Sequence, residues 1–490
     1  MPTQSRETLM SIQDVCSFLA VSNDTVYRWI KEKNFPAQMI GKRWKASLSD
    51  VEAWIKENNI GKKENKSNKK LRVLSLFSGG GGLDLGFEGG FDVIEEAVNG
   101  KIHPDWLTFK KNGWVHLPET KFETVFANDI DANAARAWNL YFSKRRNVKN
   151  IYHTISIVDL VKRQLAGEKL LPDNIDVVTG GFPCNDFSVA GKRNGFDSHR
   201  LHDGSLRTDE ATEESRGKLY MWMKQVVEIV QPKVFFAENV KGLVSLADVK
   251  EIIENDFRHI SGGYIVVPAR VLYAPSYGVP QTRERVIFIG FKKSALSEEA
   301  YTALQSDKVP AEFDPYPVMT HGNSPDLLPY TTVKQAFKDL QEPDIACDIS
   351  QKTFSCAKYM GSHCQGQKEV VLNAPGPTIR AEHHGNIEFR RLSQEHGGQH
   401  LEELQCGLRE RRLTVRECAR IQTFPDDYEF VVPRNKVVDL FGETDYKTGG
   451  FYLNSTSGYR IIGNAVPPLL GYHLAKRLEC IWAKLFGEEI

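Results

Sequence analysis

From residue 71 onward, short runs of β-branched and aromatic residues alternate with stretches in which apolar residues recur every three or four positions. The runs at 72–77, 124–128, 176–179, 234–237, 264–271 and 285–291 predict strands, because each is a brief apolar block bounded by turn-forming residues. Between them, 132–142, 217–230 and 246–257 carry the period of an amphipathic helix. Alternation of this kind predicts an α/β domain around a mixed, mostly parallel sheet. From about 291 to 410 the rhythm disappears and Pro, Gly, His and Cys accumulate, which predicts an irregular second domain. Helical periodicity returns at 414–422 and 468–485.

A separate pattern occupies residues 8–58. Ser11 is placed to cap a helix with Ile12, Val15, Cys16 and Leu19 inward, and Ser22 to cap a second over 23–33 with Val26, Trp29 and Ile30 inward. Pro36, a hairpin around Gly41 and a third helix bearing Val51, Trp54 and Ile55 complete the outline of a winged helix-turn-helix. With its Thr25-Val26-Tyr27-Arg28-Trp29-Ile30 stretch, the segment resembles excisionase/MerR-type DNA-binding modules. The resemblance implies a DNA-facing set of Thr25, Arg28 and Lys31 with Lys42, Arg43 and Lys45 on the wing; a solvated basic face is the alternative. Residues 59–70 are almost devoid of apolar side chains and read as a linker.

Composition narrows the picture without redirecting it. The 490 residues are enough for two or three domains, and 41% hydrophobic with 26% charged residues is an ordinary globular balance. Lys+Arg and Asp+Glu both number 63, so net charge is silent about nucleic acid, although a balanced total can hide a basic face. The first ten residues hold no apolar signal core, and no apolar run approaches the ~20 residues that span a bilayer. A soluble, cytoplasmic protein without membrane association is expected. The 8 cysteines show no pairing rhythm, which argues against a disulfide framework. Cys356, His363 and Cys364, and separately His383 and His384, lack partners at ligand spacing, so no metal site is expected.

Seven blocks carry candidate chemistry. Leu76-Phe77-Ser78-Gly79-Gly80-Gly81-Gly82-Leu83 follows the first strand, where glycines let backbone approach a nucleotide-like ligand; a flexible turn is the plain alternative. Asn128-Asp129-Ile130-Asp131 ends the next strand, and a carboxylate there can accept ribose hydroxyls while Asp131 caps the following helix. Gly180-Gly181-Phe182-Pro183-Cys184 presents a cysteine on a sharp strand-ending loop, a better candidate nucleophile than an ordinary core thiol. Glu238, ending the strand from Val234, is placed for a raised pKa and proton donation, or is a surface carboxylate. In Gln281-Thr282-Arg283-Glu284-Arg285, alternation points both arginines the same way. Arg411 to Asp426 is rich in Arg and holds Glu417, and Gly463-Asn464-Ala465-Val466-Pro467-Pro468 precedes the last helix. Taken singly, the fifth and sixth blocks are compatible with solvated charged faces and the seventh with an ordinary turn.

In this order, the blocks closely resemble those of DNA cytosine-5 methyltransferases, over residues 71 to about 485. The resemblance implies a Rossmann-like catalytic domain at 71–290 and 411–490 that binds S-adenosylmethionine, with a target-recognition domain at 291–410. It implies Cys184 as nucleophile, Glu238 as the group holding the ring nitrogen and amino group of cytosine, and Arg285, supported by Arg283, on the base carbonyl. Phe77, Ser78, Gly79, Gly81, Gly82, Leu83, Asp129, Ile130, Asp159, Leu160, Pro183, Asn464 and Ala465 would surround the cofactor. Ser188 and Arg380 would touch DNA, 189–216 would close over a flipped base, and the last helix would pack beside the glycine loop. The partners implied are duplex DNA and a restriction endonuclease acting on the same sequence, with the methyltransferase itself monomeric. Two departures stand out: Asp129 follows the glycine loop by more than the usual ~20 residues, pointing to an insertion at 91–122, and Asn185 replaces the common Gln. A transfer-RNA methyltransferase and an inactive DNA-binding regulator are the competing readings. The N-terminal module and the size of the 291–410 region weigh against the first, and the complete set of chemical groups against the second.

Overall fold

The computed structural model describes residues 9–19, 23–32, 35–41, 43–47, 50–51, 54, 70–183, 219–245, 248–381, 387–434 and 451–490. The chain divides into two compact units, Met1–Asn68 and Lys69–Ile490.

In the first unit, strand β1 (Leu9–Ser11) runs into the helix Ile12–Leu19, followed by the helix Asn23–Glu32 and the hairpin of β2 (Ala37–Ile40) and β3 (Arg43–Ser47). The three strands are antiparallel in the order β1-β3-β2. Ser11 caps as its position predicts: its Oγ accepts from the Asp14 amide at 3.2 Å while Asp14 Oδ2 accepts from the Ser11 amide at 2.8 Å. Val15, Val26, Trp29, Val51 and Trp54 are buried together, with Phe35 edge-on to Trp54 at 4.8 Å between ring centroids. The tryptophans are therefore core. Lys31 and Arg43 are exposed and Lys45 half-buried. The side chains of Thr25 and Arg28, and all of Lys42, lie outside the described residues. Strand β1 escapes sequence reading because three residues carry no period.

The second unit is built on a seven-stranded sheet. Its strands are β4 (Leu71–Leu76), β8 (Phe122–Asp129), β9 (Tyr152–Thr154), β10 (Val177–Gly181), β11 (Val234–Val240), β12 (Tyr264–Tyr273) and β13 (Glu284–Lys292), in the order β12-β13-β11-β10-β4-β8-β9. Only β13 runs against its neighbours, being antiparallel to both β11 and β12. Connectivity permits this: β12 reaches β13 through the segment 274–283, which holds the 3₁₀ helix Ala274–Tyr277, whereas the parallel neighbours are separated by longer stretches of chain. Alternate residues feed the two faces, so that on β11 Phe236 enters one core and Phe235 and Ala237 the other. The predicted strands and helices of this unit all form, with ends shifted by a few residues. Strand β9 was not expected.

The insertion at 91–122 folds on itself. Strands β5 (Asp92–Ile94), β6 (Phe109–Lys111) and β7 (Trp114–His116) form an antiparallel sheet in the order β5-β7-β6. Its hairpin turns at Asn112 (φ 52°) and Gly113 (φ 78°), the left-handed pair a two-residue turn requires. The C-terminal helix Pro468–Phe486 lies against the helix Gly82–Glu88 that follows the glycine loop. A Cβ at Gly86 would sit 2.7 Å from the Gly471 backbone, so the two helices touch main chain to main chain.

The Arg-rich block is no solvated face. Thr414 and Glu417 close a reciprocal cap on the helix Val415–Ile421, and Arg411, Arg412, Arg416 and Arg420 are all buried. Arg416 pairs with Asp348 at 2.6 Å and Arg420 with Asp426 at 2.5 Å, the former fastening the helix to the irregular region. Charge density alone could not separate this from a surface, because part of the pairing, Asp348 with Arg416 and Glu342 with Arg411, comes from distant sequence.

Candidate active site

A cleft of about 250 Å³ opens at the carboxyl ends of β4, β8, β10 and β11, where an open α/β sheet places its ligands. Phe77, Ser78, Gly79, Gly82, Leu83, Asp129, Ile130, Pro183, Glu238, Arg283, Arg285, Asn464 and Ala465 all line it, although the sequence separates the first from the last by almost the whole unit.

The glycine loop is held from three sides. Phe77 (φ 51°) and Gly79 (φ 55°) are both left-handed, a strained state for Phe77 that the flanking bonds enforce. The Ser78 amide donates to the Asn128 carbonyl at 2.9 Å and the Gly79 amide to Asp129 Oδ2 at 2.9 Å. The hydroxyls of Tyr152 and Tyr428 donate to the carbonyls of Gly79 and Gly80, at 2.9 and 2.6 Å. Asp84 organises the inner side: its buried carboxylate accepts from Ser75 Oγ at 2.5 Å, Ser78 Oγ at 2.6 Å and Trp138 Nε1 at 2.8 Å. Burial raises the Asp84 pKa, which these three donors oppose. Asp84 went unnoticed in the sequence because an acid in a helix's first turn reads as a dipole partner. Gly81 has a packing role: a Cβ there would meet the Trp138 ring at 2.4 Å, and the residue does not line the cleft.

Asp129 is partly exposed to the cleft. Its Oδ1 accepts from the Asp131 amide at 2.9 Å, and desolvation raises its pKa while backbone donors pull it back. Asp131 also caps the helix Ala132–Phe142, accepting from the Asn133 amide at 2.9 Å, so the acids divide the two roles. Asp159 and Leu160 are not brought to the cleft: Asp159 is exposed and Leu160 sits in the core, while Ile155, Ser156 and Ile157 line the cavity. The helix starts at Ile157 under a Ser156 cap, which turns residue 159 outward.

At the opposite end, β10 and β11 run in register with Gly181 beside Glu238. A Cβ at Gly181 would lie 2.8 Å from Glu238 Oε2, so glycine there makes room for the carboxylate. Glu238 Oε1 meets Arg285 Nε at 2.5 Å with both side chains mostly buried. Burial drives the Glu238 pKa up, and Arg285 and then Arg283 oppose the rise. Arg283 precedes β13 yet lines the same cavity as Arg285, and its Nη2 donates to the Gly463 carbonyl at 2.8 Å. Asn239, another residue the sequence did not flag, donates from Nδ2 to the Phe182 carbonyl at 3.0 Å, anchoring the loop that leads to Pro183. Cys184, Ser188 and the expected closing loop 189–216 lie outside the described residues, as do His383 and His384. Arg380 bonds to the buried Glu388 at 2.7 Å, and its backbone abuts Gly463, where a Cβ would come within 2.3 Å. The structure thus sets Arg380 beside the Gly463 wall of the cleft, paired to a carboxylate.

No helix among the described residues is long and apolar enough to cross a membrane. A family model for C-5 cytosine-specific DNA methylases matches residues 71–444, and a helix-turn-helix domain model matches residues 9–59. The chain is 31% identical over 418 residues to the type II methyltransferase M.BspRI of Lysinibacillus sphaericus, covering 84% of this chain and 81% of that one. It is 29% identical to M.BsuRI of Bacillus subtilis, over 83% of this chain and 78% of the relative. M.Eco47II of Escherichia coli aligns at 26% identity over 97% of this chain and 96% of its own length. By the family match across most of its length, the chain belongs to the C-5 cytosine-specific DNA methylases.

Proposed function

We propose that this cytosine-5 DNA methyltransferase works in the cleft described above, on a cytosine swung out of duplex DNA, with Cys184 as nucleophile. Carbon 5 of cytosine is a poor nucleophile, and adding a thiolate at carbon 6 creates an enamine that activates it. Carbon 6 is shielded in a stacked duplex, so the base must leave the helix at a cost of a few kcal/mol. Glu238, its carboxyl biased toward the protonated form by burial, donates to ring nitrogen 3 and holds the exocyclic amine. Arg285 fixes Glu238 and reaches the base carbonyl.

S-adenosylmethionine, when bound, supplies the electrophilic methyl group. The residues present fit it: a glycine loop without side chains in the way, a cleft-facing carboxylate at Asp129 suited to ribose hydroxyls, and apolar walls from Phe77, Leu83 and Ile130. Asn464 and Ala465 close the far wall. The observation that carries the reading is the Glu238–Arg285 pair at 2.5 Å in the same cavity as Asp129 and the glycine loop. The type II names of the relatives support a role as the modification half of a restriction–modification pair, and the helix-turn-helix unit supports a further contact with DNA.

With labelled S-adenosylmethionine, the protein should methylate duplex DNA, and Cys184→Ser should lower transfer by at least about 10³-fold while retaining cofactor binding. Label entering only transfer RNA, or full activity in the serine variant, would overturn the proposal. Bisulfite sequencing of DNA from an expressing host identifies the target sequence.

A further inference from the structure

Gln281 is fully buried between the base-binding strand and the recognition region, and every hydrogen-bonding valence of its amide is used. Its Nε2 donates to the Ile421 carbonyl at 3.3 Å and to Gln422 Oε1; its Oε1 accepts from the Ile379 amide at 3.0 Å and from Arg283 Nη1 at 3.4 Å. Gln422, also fully buried, passes the connection on by donating from Nε2 to the Ala465 carbonyl. Ala465 lines the cofactor end of the cleft.

The same segment is joined to the recognition region by main chain. The Gly376 amide donates to the Pro280 carbonyl at 2.9 Å, and the Thr282 amide to the Gly376 carbonyl at 2.8 Å. Arg283 ties the Ile379 carbonyl (3.1 Å) to the Gly463 carbonyl (2.8 Å) with one guanidinium. Residues 376–380 therefore cannot shift without pulling on Gln281, and Gln281 cannot shift without pulling on Gln422 and Ala465. A satisfied core amide would stabilise the fold wherever it lay; what distinguishes this one is that its four partners belong to the base pocket, the recognition region and the end of the Val415–Ile421 helix, which Gln422 in turn ties to Ala465.

We propose that Gln281 is a positioning residue that couples engagement of DNA by the recognition region to the affinity of the cofactor pocket. The proposal rests on the reading of the cleft as the S-adenosylmethionine site. Coupling through a shared network must be reciprocal, and typical values change affinity by about 5- to 150-fold.

The probe is S-adenosylhomocysteine, which binds without reacting, titrated calorimetrically into the full-length protein with and without a duplex carrying the target sequence. Wild type should bind it at least about fivefold more tightly when DNA is present. Gln281→Glu, which keeps the shape but reverses two donors, and Gln281→Leu should bring that ratio close to one while leaving DNA-free affinity within about threefold. Gln422→Met removes the Gln281–Gln422 and Gln422–Ala465 bonds while leaving the other bonds of Gln281 in place, and should do the same, providing the test if the Gln281 variants do not fold. A wild-type ratio of one, or folded variants that keep the wild-type ratio, would overturn the coupling role. Failure of the underlying site reading looks different: DNA-free wild type would not bind the probe, or Asp129→Asn would bind it unchanged.

Discussion

At one end of the cleft, Arg285 meets Glu238 through one Nε–Oε1 contact of 2.5 Å; at the Val415–Ile421 helix, Arg411 grips Glu417 through two bonds of 2.9 Å each. Both pairs are removed from water, with the first 10% and 12% exposed and the second 1% and 2%. Their surroundings differ. Glu417 also accepts from the Thr414 amide at 2.8 Å, and Arg411 reaches Glu342 at 3.1 Å, so the helical pair is saturated and serves the fold. Glu238 touches Arg285 with one oxygen and lies beside Gly181 with the other, leaving hydrogen-bonding capacity on the cavity side. The same two residue types act as a rivet where every valence is filled, and as chemistry where one is left for a ligand.

The largest expected effect separates the pairs by activity. Glu238→Gln should lower kcat by about 10²–10⁴-fold, the usual range for a lost proton donor. Stability should not follow. The Glu238 pKa is raised in the folded protein above its ordinary value of 4.5, so wild type loses stability as pH rises from 4.5 through the folded value. Glutamine resembles the neutral acid, so the variant should equal or exceed wild type in urea unfolding at neutral pH, and the gap should close as pH falls below 4.5. A variant that unfolds easily yet keeps its kcat would place Glu238 with the structural pairs.

Glu417→Gln should do the reverse. Breaking a saturated buried pair leaves Arg411 uncompensated and costs about 3–5 kcal/mol, read as a drop in Tm, with kcat per folded molecule retained. Selective loss of kcat at unchanged Tm would collapse the distinction.

The smallest effect comes from a buried titratable group outside both pairs. His473 is fully buried against His103, Trp106 and Tyr277, and desolvation followed by repulsion from His103 and His321 holds its pKa well below 6.5. A depressed histidine gives stability that is present above 6.5 and is lost as pH falls from 6.5 through the folded value. Unfolding midpoints should fall in that window, and His473→Phe should flatten the decline; an unchanged profile would show that other groups set it.

What could be read along the chain were features whose meaning is local. A glycine run after a strand and acids ending strands β8 and β11 sit where an open sheet presents ligands, so Asp129 and Glu238 were candidates from local pattern, whereas Pro183 and Arg285 were singled out by the family resemblance. Asp159 shows where this fails: a match by order along the chain cannot tell which way a helix turns a side chain, and Ser156 capping one turn earlier points it to solvent. The insertion could be recognised by spacing, whereas its three-stranded sheet could not, because strands of three residues carry no usable period.

By itself, the sequence determined the α/β alternation, the helix cap at Ser11 and the acids at the ends of strands β8 and β11. Those follow from propensity, period and capping, which act over a few residues. The tertiary structure alone decided that β13 runs antiparallel, that Asp84, Tyr152 and Tyr428 hold the glycine loop and Asn239 the segment leading to Pro183, and that Gln281 joins three segments. It also decided that Arg411 is a rivet while Arg285 is not. For the polar groups among these the physical reason is shared: the worth of a buried polar group depends on which partners the fold delivers to it, and deciding partners lie far along the chain, as Tyr152 does from Gly79 and Ile379 from Gln281.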